Sequence, residues 1–437
     1  MTPTHRGRVC FFGTYERDYP RNRTLAEGLK RAGWQVLECH VPLWEKERDK
    51  TGRYLGPFSL VLRAVELKLA YFQLLLKYVF TVGRYEVMLV GYIGHLDMPL
   101  AWLLTRFPRR PLVYSPLISL YDTLVDDRRS VAEGTLMSRF LRWLDRQTCA
   151  KADLVLLDTE THIDYFVQEF NLPRKRFARV FVGAVEPDGP EGVNGEGVNG
   201  PDSYEDTPAV GTTLEDAPAV GTRSVDMPAA GEPAIGPYGE VTPAAETPFR
   251  VMFIGKFIPL HGLPFMLEAA NRLKDVPDIE FHFVGSGQLT DEIHETARRL
   301  NLENVRFTDW IPYEQLHRFM QGWGVCLGIF GTSGKAVRVI PGKVFVALSA
   351  GKTVITADSP AIRELLADGE SAILCRRGDP EALACAIRRL HGDRELLRRI
   401  AEGGSRVFRE HASTEQIGRS ASAVLERLVT GGVSTFR

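Results

Sequence analysis

No CxxC spacing occurs in this chain of 437 residues, and its six cysteines (Cys10, Cys39, Cys149, Cys326, Cys375, Cys385) are scattered, several inside apolar runs such as RVCFFG and GVCLGIF. That pattern argues against a disulfide framework or a zinc site and predicts reduced core thiols in a cytoplasmic protein. Net charge of one sign is also missing. The formal balance is -1, which removes any global electrostatic reason for a nucleic-acid partner. The opening MTPTHRGRVCFFG has no charged-then-apolar region, so secretion is not expected. Long uninterrupted hydrophobic runs are absent too. The most apolar segment, Phe58 to Val82, is broken by Arg63, Glu66, Lys68 and Lys77, which excludes a transmembrane helix. It reads as an amphipathic helix packed on an N-terminal sheet, with peripheral contact at the inner face of the plasma membrane as the alternative.

What is present is an alternation of strand-like and helix-like segments, the signature of doubly wound α/β sheets. In the first half the strands are Val9–Gly13, Gln35–Cys39, Val87–Val90, Leu112–Tyr114, Leu154–Leu157 and Val180–Val182, with the first helix over about Thr24–Ala32. From Glu186 to Thr247 the composition shifts to small, acidic and Pro/Gly residues, with EGVNG in tandem and DTPAVGT, DAPAVGT and DMPAAGE recurring. Such a stretch cannot bury enough apolar surface to offset its ordering entropy, so it predicts a disordered insertion. A second alternating half then begins, and its last helix starts at Ser413, where STEQ has capping-box form. The resulting division is residues 1–185, a linker at 186–248, 249–412 and a final helix over 413–437.

Two places in the second half suit phosphate. The apolar run Val251 to Ile254 ends at Gly255, and Lys256 and His261 flank a turn feeding a helix whose free amides and partial positive charge attract anions. In IPGKVFVALSAGKTVITADSPAIRE, Lys343 precedes an apolar helix that ends at Gly351 and Lys352. Two such places in one domain suggest a diphosphate clamp.

The motifs FIGKFIPLHG, FVGSGQ and LGIFGTSGKAVRVIPGKVFVALSAGKTVITADSPAIRELL, with FFGTYERDYPRNRTLAEGLKRAGWQVLECHVPLW and GYIGHLDMPLA in the first half, resemble a bacterial branch of the family 4 retaining glycosyltransferases. The resemblance covers everything except the linker. It implies two Rossmann-like domains in the GT-B arrangement, a cleft between them, a nucleotide-sugar donor on the C-terminal side and a glycan or lipid-linked acceptor on the N-terminal side. Lys256 then matches a position that contacts the donor diphosphate, and Lys343 is a further candidate.

Gly285 and Gly287 either let the backbone approach the nucleotide or make a tight turn. Trp310 and Ile311 fall where the family places residues around the base. Many members carry two glutamates with seven residues between them ahead of the turn that Gly351 and Lys352 occupy here. Counted back from Gly351 those positions hold Arg338 and Val346, and valine cannot accept a ribose hydroxyl. Glu364 matches a later acidic position, or is a helix-start carboxylate. On the acceptor side, Arg21, Asn22 and Arg23 precede the first helix and could bind an anion, a solvated loop being the alternative. Asp122, Asp126, Arg128, His95 and Asp97 are the other polar candidates there. Catalysis is expected to rest on Lys256, Lys343 and Asp122. No Asp-x-Asp motif occurs, and neither a metal nor another cofactor is expected. The alternative to transfer is a weak or inactive relative that binds a nucleotide or a protein. A nucleotide-sugar epimerase of the same architecture is a third reading.

Overall fold

The computed structural model describes residues 6–43, 57–186, 248–309, 311 and 313–431, with the side chains of residues 57–64, 313 and 314 left out. The repetitive insertion and Trp310 therefore lie outside the described residues.

The first half runs β1 (Gly7–Gly13), α1 (Pro20–Arg31), β2 (Trp34–His40), α2 (Pro57–Phe80), β3 (Val87–Val90), α3 (Met98–Leu104), β4 (Leu112–Tyr114), α4 (Leu136–Lys151), β5 (Leu154–Leu157), α5 (Glu160–Phe170) and β6 (Phe177–Arg179). All strands are parallel, in the order β2-β1-β3-β4-β5-β6. Side chains alternate across this sheet, so Val9 and Phe11 enter one core layer while Cys10 and Phe12 enter the other.

The second half runs β7 (Phe249–Ile254), α6 (Leu263–Arg272), β8 (Ile279–Val284), α7 (Thr290–Arg299), β9 (Val305–Thr308), α8 (Tyr313–Met320), β10 (Val325–Leu327), α9 (Gly342–Ser349), β11 (Thr353–Ala357), β12 (Ile373–Cys375), α10 (Pro380–Gly392), α11 (Arg394–Val407) and α12 (Thr414–Thr430). Its sheet is also parallel, in the order β12-β11-β10-β7-β8-β9. These are the two doubly wound sheets of the GT-B arrangement. In each, strand order reverses beside the first strand, between β1 and β3 and between β7 and β10, and such reversal points open a crevice at the carboxyl ends of the strands.

Helix starts carry the caps their sequences offer. Thr135 accepts from the Ser138 amide (3.2 Å), Thr159 from His162 (3.0 Å) and Ser413 from Gln416 (3.4 Å). Helix α12 lies on α1 at the first sheet, and the contact is close because both partners are glycine. A Cβ on Gly418 would fall 1.9 Å from the Gly28 carbonyl oxygen.

Two sequence expectations need correction. Helix α1 starts at Pro20 rather than near Thr24, because proline's fixed φ suits the first helical position. Arg21, Asn22 and Arg23 therefore sit in its first turn, not in a loop before it. The segment Val180–Val182 is not a strand; the carbonyls of Val180 and Phe181 accept from the Arg21 guanidinium (2.7 and 2.6 Å), and β6 lies just before it.

Candidate functional site

The β7–β10 reversal point carries the residues that suit phosphate. Strand β7 ends at Ile254, and Gly255 follows with a φ of +144° that suits glycine and an amide that donates to the Val284 carbonyl (2.9 Å). A Cβ there would sit 2.7 Å from Lys343 Nζ, so the missing side chain is what lets that lysine lie against the turn. Lys343 comes from the first turn of α9. Its Nζ is buried, has no hydrogen-bond partner, and stands 3.8 Å from the centroid of the Phe253 ring. Burial holds the ammonium well below the usual lysine range. His261 is buried beside it, with Nδ1 on the Lys256 carbonyl and the ring edge-on to Phe253 (5.4 Å). Burial pushes this imidazole well below its ordinary value, and the neighbouring charges of Lys343, Arg128 and Lys335 act in the same direction. A buried cation without a partner is costly, and a bound anion relieves that cost.

A second cluster joins the halves. After β10 the chain returns through Ser333, Lys335 and Arg338, which meet the wide helical turn Asp122–Asp127 of the first half. Arg338 pairs with fully buried Asp122, and its guanidinium lies 3.9 Å from the centroid of the Tyr165 ring. Lys335 donates to Thr123 Oγ1 (2.6 Å) and Ser333 to Asp127 Oδ1 (3.0 Å). The second carboxylate oxygens of Asp122 and Asp127 are buried without partners. Burial lowers the Lys335 ammonium pKa, and the two aspartates only partly offset it. Asp126 is exposed; its carboxyl is raised by desolvation and then by Asp122.

Other residues singled out from sequence are held in structural ties. Arg21 is fully buried, also donates from Nε to Ser115 (3.1 Å), and binds α1 to the strand ends. Desolvation brings its guanidinium down to about 10. Arg23 is exposed. Asp97 accepts from the Thr14 amide (2.8 Å) and hydroxyl (3.0 Å), and burial raises its carboxyl to about 6 against those bonds. His95 sits 3.2 Å from Asp145, which also caps the Ser119–Tyr121 turn. Glu364 accepts from the amides of Glu160 (2.7 Å) and Thr161 (2.9 Å), so it caps α5 across the cleft.

Gly285 and Gly287 serve loop-on-loop packing: a Cβ on Gly285 would lie 2.0 Å from the Gly255 carbonyl oxygen, and one on Gly287 2.8 Å from that of Phe257. Their amides are taken by Thr308 (2.8 Å) and the Thr290 hydroxyl (2.7 Å). Lys256 is exposed, Ile311 is half-buried, and Val346 of α9 is buried. Sequence reading missed Lys335, Asp127 and Tyr165. The signal for Lys335 was its place in the glycine-flanked GTSGK loop after β10. Among the described residues no group of His, Cys, Asp and Glu is arranged to hold a metal ion.

Two facing Rossmann-like domains with a basic crevice at a strand-order reversal define a GT-B protein. Residues 248–393 match the family described as Glycosyl transferases group 1. The chain is similar to the amylovoran biosynthesis glycosyltransferase AmsK of Erwinia amylovora, 24% identical over 193 residues, which is 42% of this chain and 46% of that protein. It is also similar to the lipopolysaccharide core biosynthesis glycosyltransferase LpsD of Rhizobium meliloti, 27% identical over 170 residues, 39% of this chain and 47% of that one. The chain spans about half the length of these curated relatives.

Among solved structures it is similar to Anabaena Alr3699/HepE in complex with UDP-glucose, with a TM-score of 0.59 at 16% identity over 97% of this chain and 100% of that one. Sucrose-phosphate synthase from Thermosynechococcus elongatus gives a TM-score of 0.64 at 15% identity, over 98% and 100% of the two chains. At these identities the likeness speaks to fold.

Proposed function

We propose that this chain is a retaining, metal-independent glycosyltransferase that moves a hexosyl group from a nucleotide diphosphate sugar to a polysaccharide, glycolipid or lipid-linked glycan. The observation that carries this reading is the buried, partnerless Nζ of Lys343 packed against Gly255 at the β7–β10 reversal point. The match of residues 248–393 and the sugar-transfer names of the curated relatives support it. In this scheme the bond between sugar C1 and the diphosphate oxygen breaks, and its electron pair leaves on the phosphate. The acceptor oxygen bonds to C1 on the same face and passes its proton to that phosphate oxygen, so no enzymic base is required. Charge on the departing diphosphate is met by Lys343, with Lys256 at the mouth of the turn.

The test is donor hydrolysis and transfer across UDP, GDP and ADP sugars. Lys343→Ala is expected to lower turnover about 10²–10³-fold, the usual loss for one charge-stabilising group, and Lys256→Ala less. If no donor is turned over and neither substitution changes nucleotide binding, the reading fails. A second reading, nucleotide binding without transfer, is favoured by buried Val346 where an acidic ribose ligand would stand. Nucleotide binding that depends on Lys343 without any turnover would select it.

A further inference from the structure

Every large apolar side chain that stands exposed among the described residues lies between Val65 and Trp143, on α2, α3, α4 and the turns beside them. Helix α2 shows the arrangement most clearly. Its core-facing side is Ala70 and Leu74, both buried among Cys10, Phe12, Met88 and Val90 of the first sheet. On the opposite side Val65, Leu69, Phe72, Leu76 and Val79 recur at steps of three and four residues, and Phe72 is 61% exposed. The helix is thus apolar on both faces, although only one meets the core. Helix α4 repeats this. Its inner residues Leu141, Leu144 and Cys149 are buried, while Leu136, Phe140 and Trp143 form an outer stripe, with Leu136 83% and Trp143 54% exposed.

These outer faces belong to one surface. Met98 and Ala101 of α3 and Cys149 of α4 enter the same core layer as Ala70 and Leu74, so the three helices cover the same face of the sheet. Tyr71 of α2 donates to the Leu96 carbonyl and Tyr78 to that of Leu104 (3.5 Å), which sets α2 beside α3. Between α3 and α4 a recess is lined by Trp102, Arg106, Arg109, Arg110, Lys151 and a single acid, Asp153, whose carboxylate accepts from the Leu112 amide (3.0 Å), and Phe107 stands beside it 86% exposed. Arg139 and Arg146 are exposed along the flank of the α4 stripe. Helices elsewhere in the molecule behave differently: α7 puts Asp291, Glu292, Arg298 and Arg299 outward. An exposed apolar surface of this extent is rare on a free-standing protein and marks an interaction surface.

We infer that the α2–α3–α4 face seats on an anionic lipid bilayer, with Phe72, Phe107, Leu136 and Trp143 entering the headgroup–acyl boundary and Arg106, Arg109 and Arg139 against lipid phosphates. Charge complementarity selects this occupant. A second copy of the chain would bring the same basic face with it and double the positive charge at the contact, whereas anionic lipid neutralises that charge and each basic group near the surface adds attraction. Because α4 runs antiparallel to the strands, its Leu136 end lies at the carboxyl edge of the sheet, the same edge that opens on the cleft. A lipid-borne acceptor held by this face would reach the cleft without leaving the bilayer. The docking itself stands whether or not the cleft transfers sugar.

The experiment is co-sedimentation of the full chain with vesicles of phosphatidylcholine alone and of phosphatidylcholine with phosphatidylglycerol, in low salt. Binding to the anionic vesicles is expected, and at least about tenfold weaker partitioning for Phe72→Glu combined with Trp143→Glu and for Arg109→Glu combined with Arg139→Glu. All four positions are solvent-facing, so unchanged melting of the variants certifies their fold. No sedimentation with anionic vesicles overturns the inference, as does equal binding to both compositions or wild-type binding by the variants. Sedimentation velocity that shows a dimer dispersed by the apolar-to-Glu changes, with no lipid binding, assigns the face to a second copy and equally overturns it.

Discussion

Arg338 and Asp122 make an ion pair that joins the two sheets, with the guanidinium stacked on the Tyr165 ring and the aspartate fully buried. Each residue was singled out from sequence for a different side of the cleft, Arg338 for donor phosphate and Asp122 for acceptor chemistry. In the structure each is the other's counter-charge. A buried pair is weak grounds for net stability, but removing one member strands the other.

Asp122→Ala is therefore expected to cost roughly 3 kcal/mol of unfolding free energy, by the usual range for a broken buried pair. The double variant Asp122→Ala with Arg338→Met should recover most of that loss, because no lone charge remains. Urea denaturation of the two single variants and the double variant measures the coupling. Additive losses would show that the pair is not what couples these positions.

Lys343 makes a prediction with a definite sign in pH. Folding depresses its pKa, so between that lowered value and the ordinary lysine value near about 10.4 the unfolded chain holds more protons than the folded one. This group's contribution to stability therefore rises with pH across that window. Lys343→Met should raise the melting temperature of the ligand-free protein at neutral pH, flatten the rise with pH, and abolish the gain in melting temperature on adding donor. Melting scans from about pH 6 to about pH 9, with and without nucleotide sugar, read all of these. A methionine variant that keeps its donor-induced gain would remove Lys343 from the site.

Glu364 separates a cap from a ligand. Its carboxylate accepts from two amides at the start of α5 and pairs with Arg179 at 3.2 Å. Glu364→Ala is expected to destabilise the fold by about 1–2 kcal/mol, as loss of a helix cap does, while donor affinity changes little. Calorimetric binding of nucleotide together with thermal melting distinguishes the outcomes. A variant that melts normally and binds donor poorly would return Glu364 to the donor site.

Much of the fold was legible because period and punctuation are local. Val251 to Gly255 reads as a strand closed by a glycine, and β7 with its φ of +144° at Gly255 follows from that short stretch. The errors were also local. Pro20 pulled α1 back over Arg21, and the apolar run Val180–Val182 resembled a strand although a buried guanidinium claims its carbonyls. Site residues divided by the range of their partners. His261 and Lys343 each stand beside a glycine at a helix start, which a short stretch of sequence reveals, whereas the fates of Arg21, Asp122, Arg338 and Glu364 depend on partners from 94 to 216 positions away.

The sequence by itself determined two parallel α/β sheets, the glycine turn at Gly255 and the presence of Lys343 at the start of an apolar helix, because backbone preference and hydrophobic period act over a few residues. Only the tertiary structure decided which charges are spent on one another. It paired Arg338 with Asp122, turned Glu364 into a cap for α5, and left Lys343 buried without a partner. It also set the outer stripes of α2 and α4 on the same side of the first sheet, with α3 between them. Burial and distance fix a charge's energy, and both are properties of chain segments brought together from far apart.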